Sequence, residues 1–189
     1  MVSGPLTQML ARNAAFAQTY QAPPKLLQMA SAMRSSNAGV VVLSCSDPRL
    51  NPYQILGLDA TLKATMIRNA GGRVVDAIRT LAVLQTIGAP GTIAVMHHTD
   101  CGMTHYHDAD IRAALRDLAP EETEAIDASK FGEITTSIEE SVREDLKLLR
   151  ASPLIRKGTQ IVGLKYDIFS GELSVVEEEG DAKSGSKLV

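Results

Sequence analysis

The sequence predicts an α/β fold: a mostly parallel central sheet of four to five strands flanked by helices, with a helical arm at the N-terminus. Three observations carry this expectation. Two apolar, β-branched runs, AGVVVLSC (38–45) and TIAVMHH (92–98), show no polar alternation, as strands buried on both faces require. Segments with helical spacing of apolar residues lie between and after them, the arrangement of parallel strands joined by crossover helices. The length, 189 residues of which 44% are hydrophobic, suits one α/β domain with a full core. We place that single domain at 1–176.

Taken in order, the first 33 residues read as two helices, PLTQMLARNAAFAQTY and PPKLLQMASAM, whose apolar residues have no obvious local partner and are expected to pack on another subunit. The strand 38–45 follows, and KATMIRNA (63–70) reads as a second, shorter strand. Beyond Gly71 and Gly72, DAIRTLAVLQTIG (76–88) aligns Ile78, Leu81, Leu84 and Ile87 on one helix face, with Asp76 placed to cap it and Gly88 to end it. The strand 92–98 comes next. ITTSIEESVREDLKLLR (134–150) sets Ile138, Val142, Leu146 and Leu149 on one face, acids early and bases late, as the helix dipole favours. TQIVGLKYDIFSGELSVV (159–176) reads as two strands about the turn Ser170-Gly171, and the polar tail 177–189 is expected to be disordered.

Composition narrows the partners. A net charge of −3, with no run of like charges longer than the EEE at 177–179, leaves no electrostatic footprint for nucleic acid or an anionic membrane. The N-terminus lacks the pattern of a signal peptide, and no apolar run approaches the roughly 20 residues that span a bilayer, so a cytoplasmic location is expected. In that compartment the two cysteines, Cys45 and Cys101, are available for metal or catalysis rather than a structural disulfide.

Both cysteines fall at carboxyl ends of expected strands, where open α/β sheets place their ligand sites. The stretch HHTDCGMTHYH (97–107) holds all four histidines, and two residues, Thr99 and Asp100, separate His98 from Cys101. That spacing lets one loop direct an imidazole and a thiolate onto a single metal ion, and Cys45 completes a Cys₂His set. Three protein ligands leave the fourth position of a zinc tetrahedron to water, the mark of a catalytic rather than a structural site. The bland alternative is a buried cysteine acting as a small hydrophobe. CSDPR (45–49) adds Asp47 and Arg49 on the loop after Cys45, either as a pair beside the metal or as a surface ion pair worth roughly 0–1 kcal/mol.

These stretches, C-x-D-x-R at a strand end, IRNAGG (67–72), a helix containing IRTL (78–81) and HHTDCGM (97–103), resemble the β-class carbonic anhydrases in order and spacing. The compact length is similar to the microbial subgroup, which also includes carbonyl sulfide and carbon disulfide hydrolases. The resemblance implies one Zn²⁺ per chain on Cys45, His98 and Cys101, with Asp47 accepting a hydrogen bond from the zinc-bound water and Arg49 holding Asp47. It further implies a homodimer or dimer of dimers. The expected reaction is hydration of carbon dioxide by zinc-bound hydroxide. Hydrolysis of carbonyl sulfide or carbon disulfide, releasing hydrogen sulfide, is the alternative, since any small linear triatomic substrate suits the same chemistry.

The remaining residues are weighed against plainer roles. His97 should point away from His98 on a strand and serve structurally. His105 and His107, in an expected polar loop, are proton-shuttle candidates because imidazole titrates near working pH. Gly71 and Gly72 would allow close backbone approach, or simply a turn. Arg68 reads as structural or interfacial. A phosphatase-like cysteine loop is disfavoured because the position six residues after Cys45 is Asn51 rather than arginine. A thiol redox switch or zinc-storing module is the non-enzymatic alternative.

Overall fold

The computed structural model describes residues 4–59 and 64–176; the expected disordered tail lies outside them. Its centre is a five-stranded sheet built from β1 (Val40–Cys45), β2 (Thr65–Asn69), β3 (Thr92–His98), β4 (Gln160–Tyr166) and β5 (Leu173–Val176) in the order β2-β1-β3-β4-β5. The first four are mutually parallel and β5 returns antiparallel on β4. This is the expected mostly parallel sheet. β1 and β3 are adjacent, in the register Val41↔Ile93 and Leu43↔Val95, so they end side by side. Both are buried along almost their whole length, which explains their unbroken apolar sequence.

Helices α4 (Val74–Ile87) and α8 (Ile138–Ala151) contribute Val74, Ala77 and Leu81, and Val142, Leu146 and Leu149, to one core with Val41, Leu43, Ile93 and Val95. Two helix starts differ from the sequence reading. α4 begins at Val74, so Asp76 lies in its first turn and does not cap it. Instead Asp145 of α8 accepts the hydrogen bond of the Val74 N–H at 3.0 Å, a long-range partner that leaves no local signature. α8 starts at Ile138 rather than 134, because the Ser137 hydroxyl accepts from the Glu140 N–H and fixes the first turn there. Ile134 instead packs, buried, in the preceding loop.

The polar loop expected around His105 and His107 is largely helical, and helices continue beyond it to Ala128. A short α3 (Pro52–Ile55) follows β1, and α5 (Gly102–His105), α6 (Asp108–Leu118) and α7 (Thr123–Ala128) follow β3. His105 therefore ends a helical turn, while His107 occupies the N-cap of α6 in a reciprocal cap with Asp110.

The arm consists of α1 (Gly4–Ala17) and α2 (Leu26–Ser36). The end of α2 is tied to the body: Arg34 donates to the Ile87 carbonyl, and the Arg156 Nη2 donates to Asn37 Oδ1 at 2.7 Å. No residue of α1 is buried, and its Leu6, Met9, Leu10 and Phe16 face outward. No helix among the described residues is long and apolar enough to cross a membrane.

Candidate metal centre

The side-by-side ends of β1 and β3 bring Cys45 to the loop that carries His98 and Cys101. One ligand-type atom from each of the three lies within 4.8 Å of the others, all three residues are buried, and the two sulfurs are 3.8 Å apart. Backbone packing under the site explains the glycines of IRNAGG. A 3₁₀ turn spans Ala70–Gly72. Gly72 has φ +71°, and a Cβ there would meet Cys45 N and Ser44 C at 3.0 Å and Met96 O at 3.2 Å. A side chain at 72 would push apart the two strand ends that carry the site. Arg68 braces the same loop, its Nε donating to the Cys45 carbonyl at 2.9 Å and its Nη2 to the Asp47 carbonyl at 2.6 Å.

The donor set fits a metal ion. His98 Nδ1 lies 2.9 Å from the Thr99 carbonyl, which fixes the ring, while the buried Nε2 has no hydrogen-bond partner. A buried ring nitrogen left without a partner is costly unless a cation or proton donor meets it. The thiols behave as a pair. The Cys101 thiol foremost, then His98 and the Asp47 and Gly71 backbone N–H groups, hold Cys45 down to about 4. That thiolate, together with burial, pushes Cys101 well above the ordinary thiol range. One proton leaves readily and the second is held by repulsion, a barrier that a divalent cation removes.

Asp47 stands beside these atoms, its Oδ2 3.9 Å from His98 Nε2. Arg49 grips it in a fork: Nε donates to Oδ1 at 3.0 Å and Nη2 to Oδ2 at 2.7 Å. Chiefly because of that arginine, the Asp47 carboxyl is lowered to about 2 and stays ionised at any physiological pH. Asp47 and Arg49 thus form a pair at the site's edge rather than a remote surface contact.

Apolar side chains surround the sulfurs. Leu50, Met103 and Ile134 are buried against Cys45 and Cys101, with Ile55, Phe131 and Tyr166 packed behind them. Ile134 and Phe131 are delivered by a loop that sequence reasoning did not connect to the site. Asp108 at the start of α6 accepts from the Phe131 N–H at 3.2 Å and the Glu133 N–H at 3.3 Å, and the Ile134 N–H donates to the Met103 carbonyl at 2.8 Å. A cleft of about 350 Å³ opens next to Arg49, bordered by Asn51, Gln54, Ile55 and Tyr166. The larger cavity of about 710 Å³ lies at the other end of the sheet, near Leu149 and Thr159, and plays no part in this chemistry.

His97 projects to the opposite face. Its Nδ1 lies 2.8 Å from the Ser141 hydroxyl and its Nε2 3.2 Å from Asp145 Oδ2. Asp145, fully buried, also faces Arg73 Nη2 at 3.4 Å. Of the shuttle candidates, His105 Nε2 contacts Asp100 Oδ1 at 2.7 Å, and His107 Nδ1 contacts Glu133 at 3.2 Å, outside the three-residue cluster.

The fold and site together define a class: an α/β protein with a buried Cys₂His cluster at adjacent parallel strand ends, flanked by an arginine-held carboxylate. Comparison with known proteins places it further. The profile of the carbonic anhydrase family matches residues 40–173, and the chain belongs to that family, in its β class. It is 35% identical over 138 residues to β-carbonic anhydrase 1 of Mycobacterium bovis, covering 72% of this chain and 81% of the relative. To the carbon disulfide hydrolase of Acidianus sp. it is 31% identical over 153 residues, covering 70% and 74%. The crystal structure of a carbonic anhydrase from Streptococcus mutans superposes with a TM-score of 0.74 at 32% identity, over 94% of this chain and 100% of that one.

The buried acid that ties α8 to both α4 and β3 carries a prediction about stability. Asp145→Ala frees the Val74 N–H and removes the buried carboxylate that faces Arg73 and His97, leaving Arg73 with Glu144 alone and His97 with Ser141 alone. Removing one partner of such a buried cluster costs about 3–5 kcal/mol. Urea unfolding should register that loss, and a change under about 1 kcal/mol would show that Asp145 is not what joins these elements.

Proposed function

We propose that Cys45, His98 and Cys101 hold one zinc ion per chain and that the protein hydrates carbon dioxide to bicarbonate. The observation that carries this reading is the unpartnered Nε2 of His98, facing two close thiols beside a carboxylate already held ionised. Family membership supports it. When bound, zinc supplies the Lewis acidity that turns water into a nucleophile near working pH, less strongly than among three histidines because two thiolates offset its charge.

The chain's own groups do the rest. Asp47 Oδ2 accepts a hydrogen bond from the attacking water and so turns a lone pair toward the substrate carbon. Arg49 keeps that carboxylate charged and holds it back from the ligand position, because a forked guanidinium satisfies both of its oxygens. Leu50, Met103 and Ile134 exclude competing water and offer an apolar seat to an uncharged linear molecule. We also propose a cytoplasmic location, where the reducing environment keeps Cys45 and Cys101 available as thiolate ligands.

A second reading has its own support. Carbon disulfide hydrolase relatives share the fold, and the apolar surroundings of Cys45 and Cys101 suit sulfur, which is larger than oxygen and a poorer hydrogen-bond acceptor. Both reactions begin with attack on the central carbon, so the five residues proposed for the site serve either. Space worth one methylene changes such a preference by only about 1–3 kcal/mol.

We also propose a homodimer, itself able to pair into a tetramer, with α1 lying on a neighbouring copy. Four large apolar side chains on a helix with no buried residue have no place to go within one chain.

The comparison of kcat/KM for carbon dioxide, carbonyl sulfide and carbon disulfide on one zinc-loaded sample tests the function. Carbon dioxide is expected to lead, and efficient hydrogen sulfide release with feeble hydration would establish the second reading instead. In the same assays Asp47→Asn should lower kcat/KM on the order of 10² or more with zinc retained, whereas near-normal activity would remove Asp47 from the mechanism. For the assembly, deletion of residues 1–20 should turn a dimer into an aggregating or monomeric species in analytical ultracentrifugation. A truncated chain that remains dimeric would refute the arm contact.

A further inference from the structure

Arg49 is gripped from two sides. Besides its fork on Asp47, its Nη1 donates to Asp100 Oδ2 at 2.7 Å and its Nη2 to the Asp100 backbone carbonyl at 2.8 Å. Asp100 offers both oxygens at once because its backbone is left-handed, with φ 55°, a conformation aspartate tolerates better than most residues. The other carboxylate oxygen, Oδ1, is engaged by His105 Nε2 at 2.7 Å. The guanidinium is thus sandwiched between a carboxylate on the loop after β1 and another on the loop after β3.

The geometry has a consequence for the pair. Arg49 is 47% exposed at its side chain. Held by Asp47 alone, so exposed an arginine could swing with its partner as a unit, because a long side chain gains entropy from every rotamer it recovers. A second anchor on the opposite edge of the guanidinium removes that freedom. Exposed ion pairs contribute little stability, so the effect of this one is directional.

We propose that Asp100 is a positioning residue: by fixing Arg49 from the β3 side, it sets the orientation of the Asp47 carboxylate beside Cys45, His98 and Cys101. The inference rests on the reading that Asp47 and Arg49 serve the reaction. Asp100 touches none of the reacting atoms and acts through Arg49. His105 steadies Asp100 from outside.

Asp100→Gly tests this, since glycine is at ease at φ 55° and only the carboxylate is lost. On zinc-loaded enzyme, kcat should fall on the order of tenfold with KM within about twofold and zinc content unchanged. The hydrogen-exchange rate of the Arg49 Nε–H, read by ¹⁵N NMR, should rise on the order of tenfold as the guanidinium loosens. Asp100→Asn, which keeps an acceptor for Nη1, should restore most of both. Added to Arg49→Ala, Asp100→Gly should cost nothing further, because a residue that acts through Arg49 has nothing left to position. Parental kcat and exchange rate in Asp100→Gly, or additive losses in the double variant, would overturn the proposal. If Arg49→Ala alone retains parental activity, the functional reading beneath it fails, a result distinct from either.

Discussion

Everything at this site depends on two neighbouring parallel strands ending at the same level. β1 and β3 run in register from Val40↔Thr92 to Ser44↔Met96, and each ends in a residue of the cluster, Cys45 and His98. Parallel pairing forces both carboxyl ends to the same edge of the sheet, so two loops distant in sequence open onto one point. Gly72 makes the last step possible, since its bare backbone lies against Ser44, Cys45 and Met96 at contacts that a Cβ would turn into collisions. Side-chain chemistry is thereby fixed by backbone geometry.

Burial then dictates the electrostatics. Two thiols 3.8 Å apart cannot both ionise in an apolar surround without a cation, and a carboxylate at the edge cannot stay unprotected without an arginine. The chain answers each demand with a specific group: Arg49 for Asp47, the Thr99 carbonyl for His98 Nδ1, Arg68 for the carbonyls of the Cys45 loop. On the opposite face of β3, His97, Asp145 and Arg73 form a second buried polar cluster. It joins α4 and α8 to the same strand, so the orientation of His98 is backed by helix packing one residue away.

How much of this was legible in the sequence follows from the range of each interaction. Cys45, Asp47 and Arg49 lie within five residues, and His98 and Cys101 within four, so short motifs at strand ends expose them. The alternating geometry of a strand also separates His97 from His98 without further information. Asp100 carries no such mark: its role depends on a left-handed backbone and on an arginine 51 residues away. Asp145 caps α4 across 71 residues, a partner no local pattern reveals, so sequence alone points to the nearby Asp76. α6 was hidden because its N-cap is His107, outside the usual Ser, Thr, Asp and Asn set, although Asp108 and Asp110 in its first turn and Arg116 in its last were available as signals. Ile134, apolar and in phase with α8, reads from sequence as part of that helix but packs beside the sulfurs.

The central claim is that this geometry exists to hold a metal ion on two sulfurs and one imidazole. Elemental analysis combined with X-ray absorption at the zinc edge, on the purified wild-type protein, tests it most directly. The account predicts about one zinc per chain, with two sulfur neighbours near 2.3 Å and the remaining neighbours nitrogen or oxygen near 2.0 Å. A protein that purifies and can be loaded only substoichiometrically, or whose zinc shows no sulfur in its shell, would contradict it.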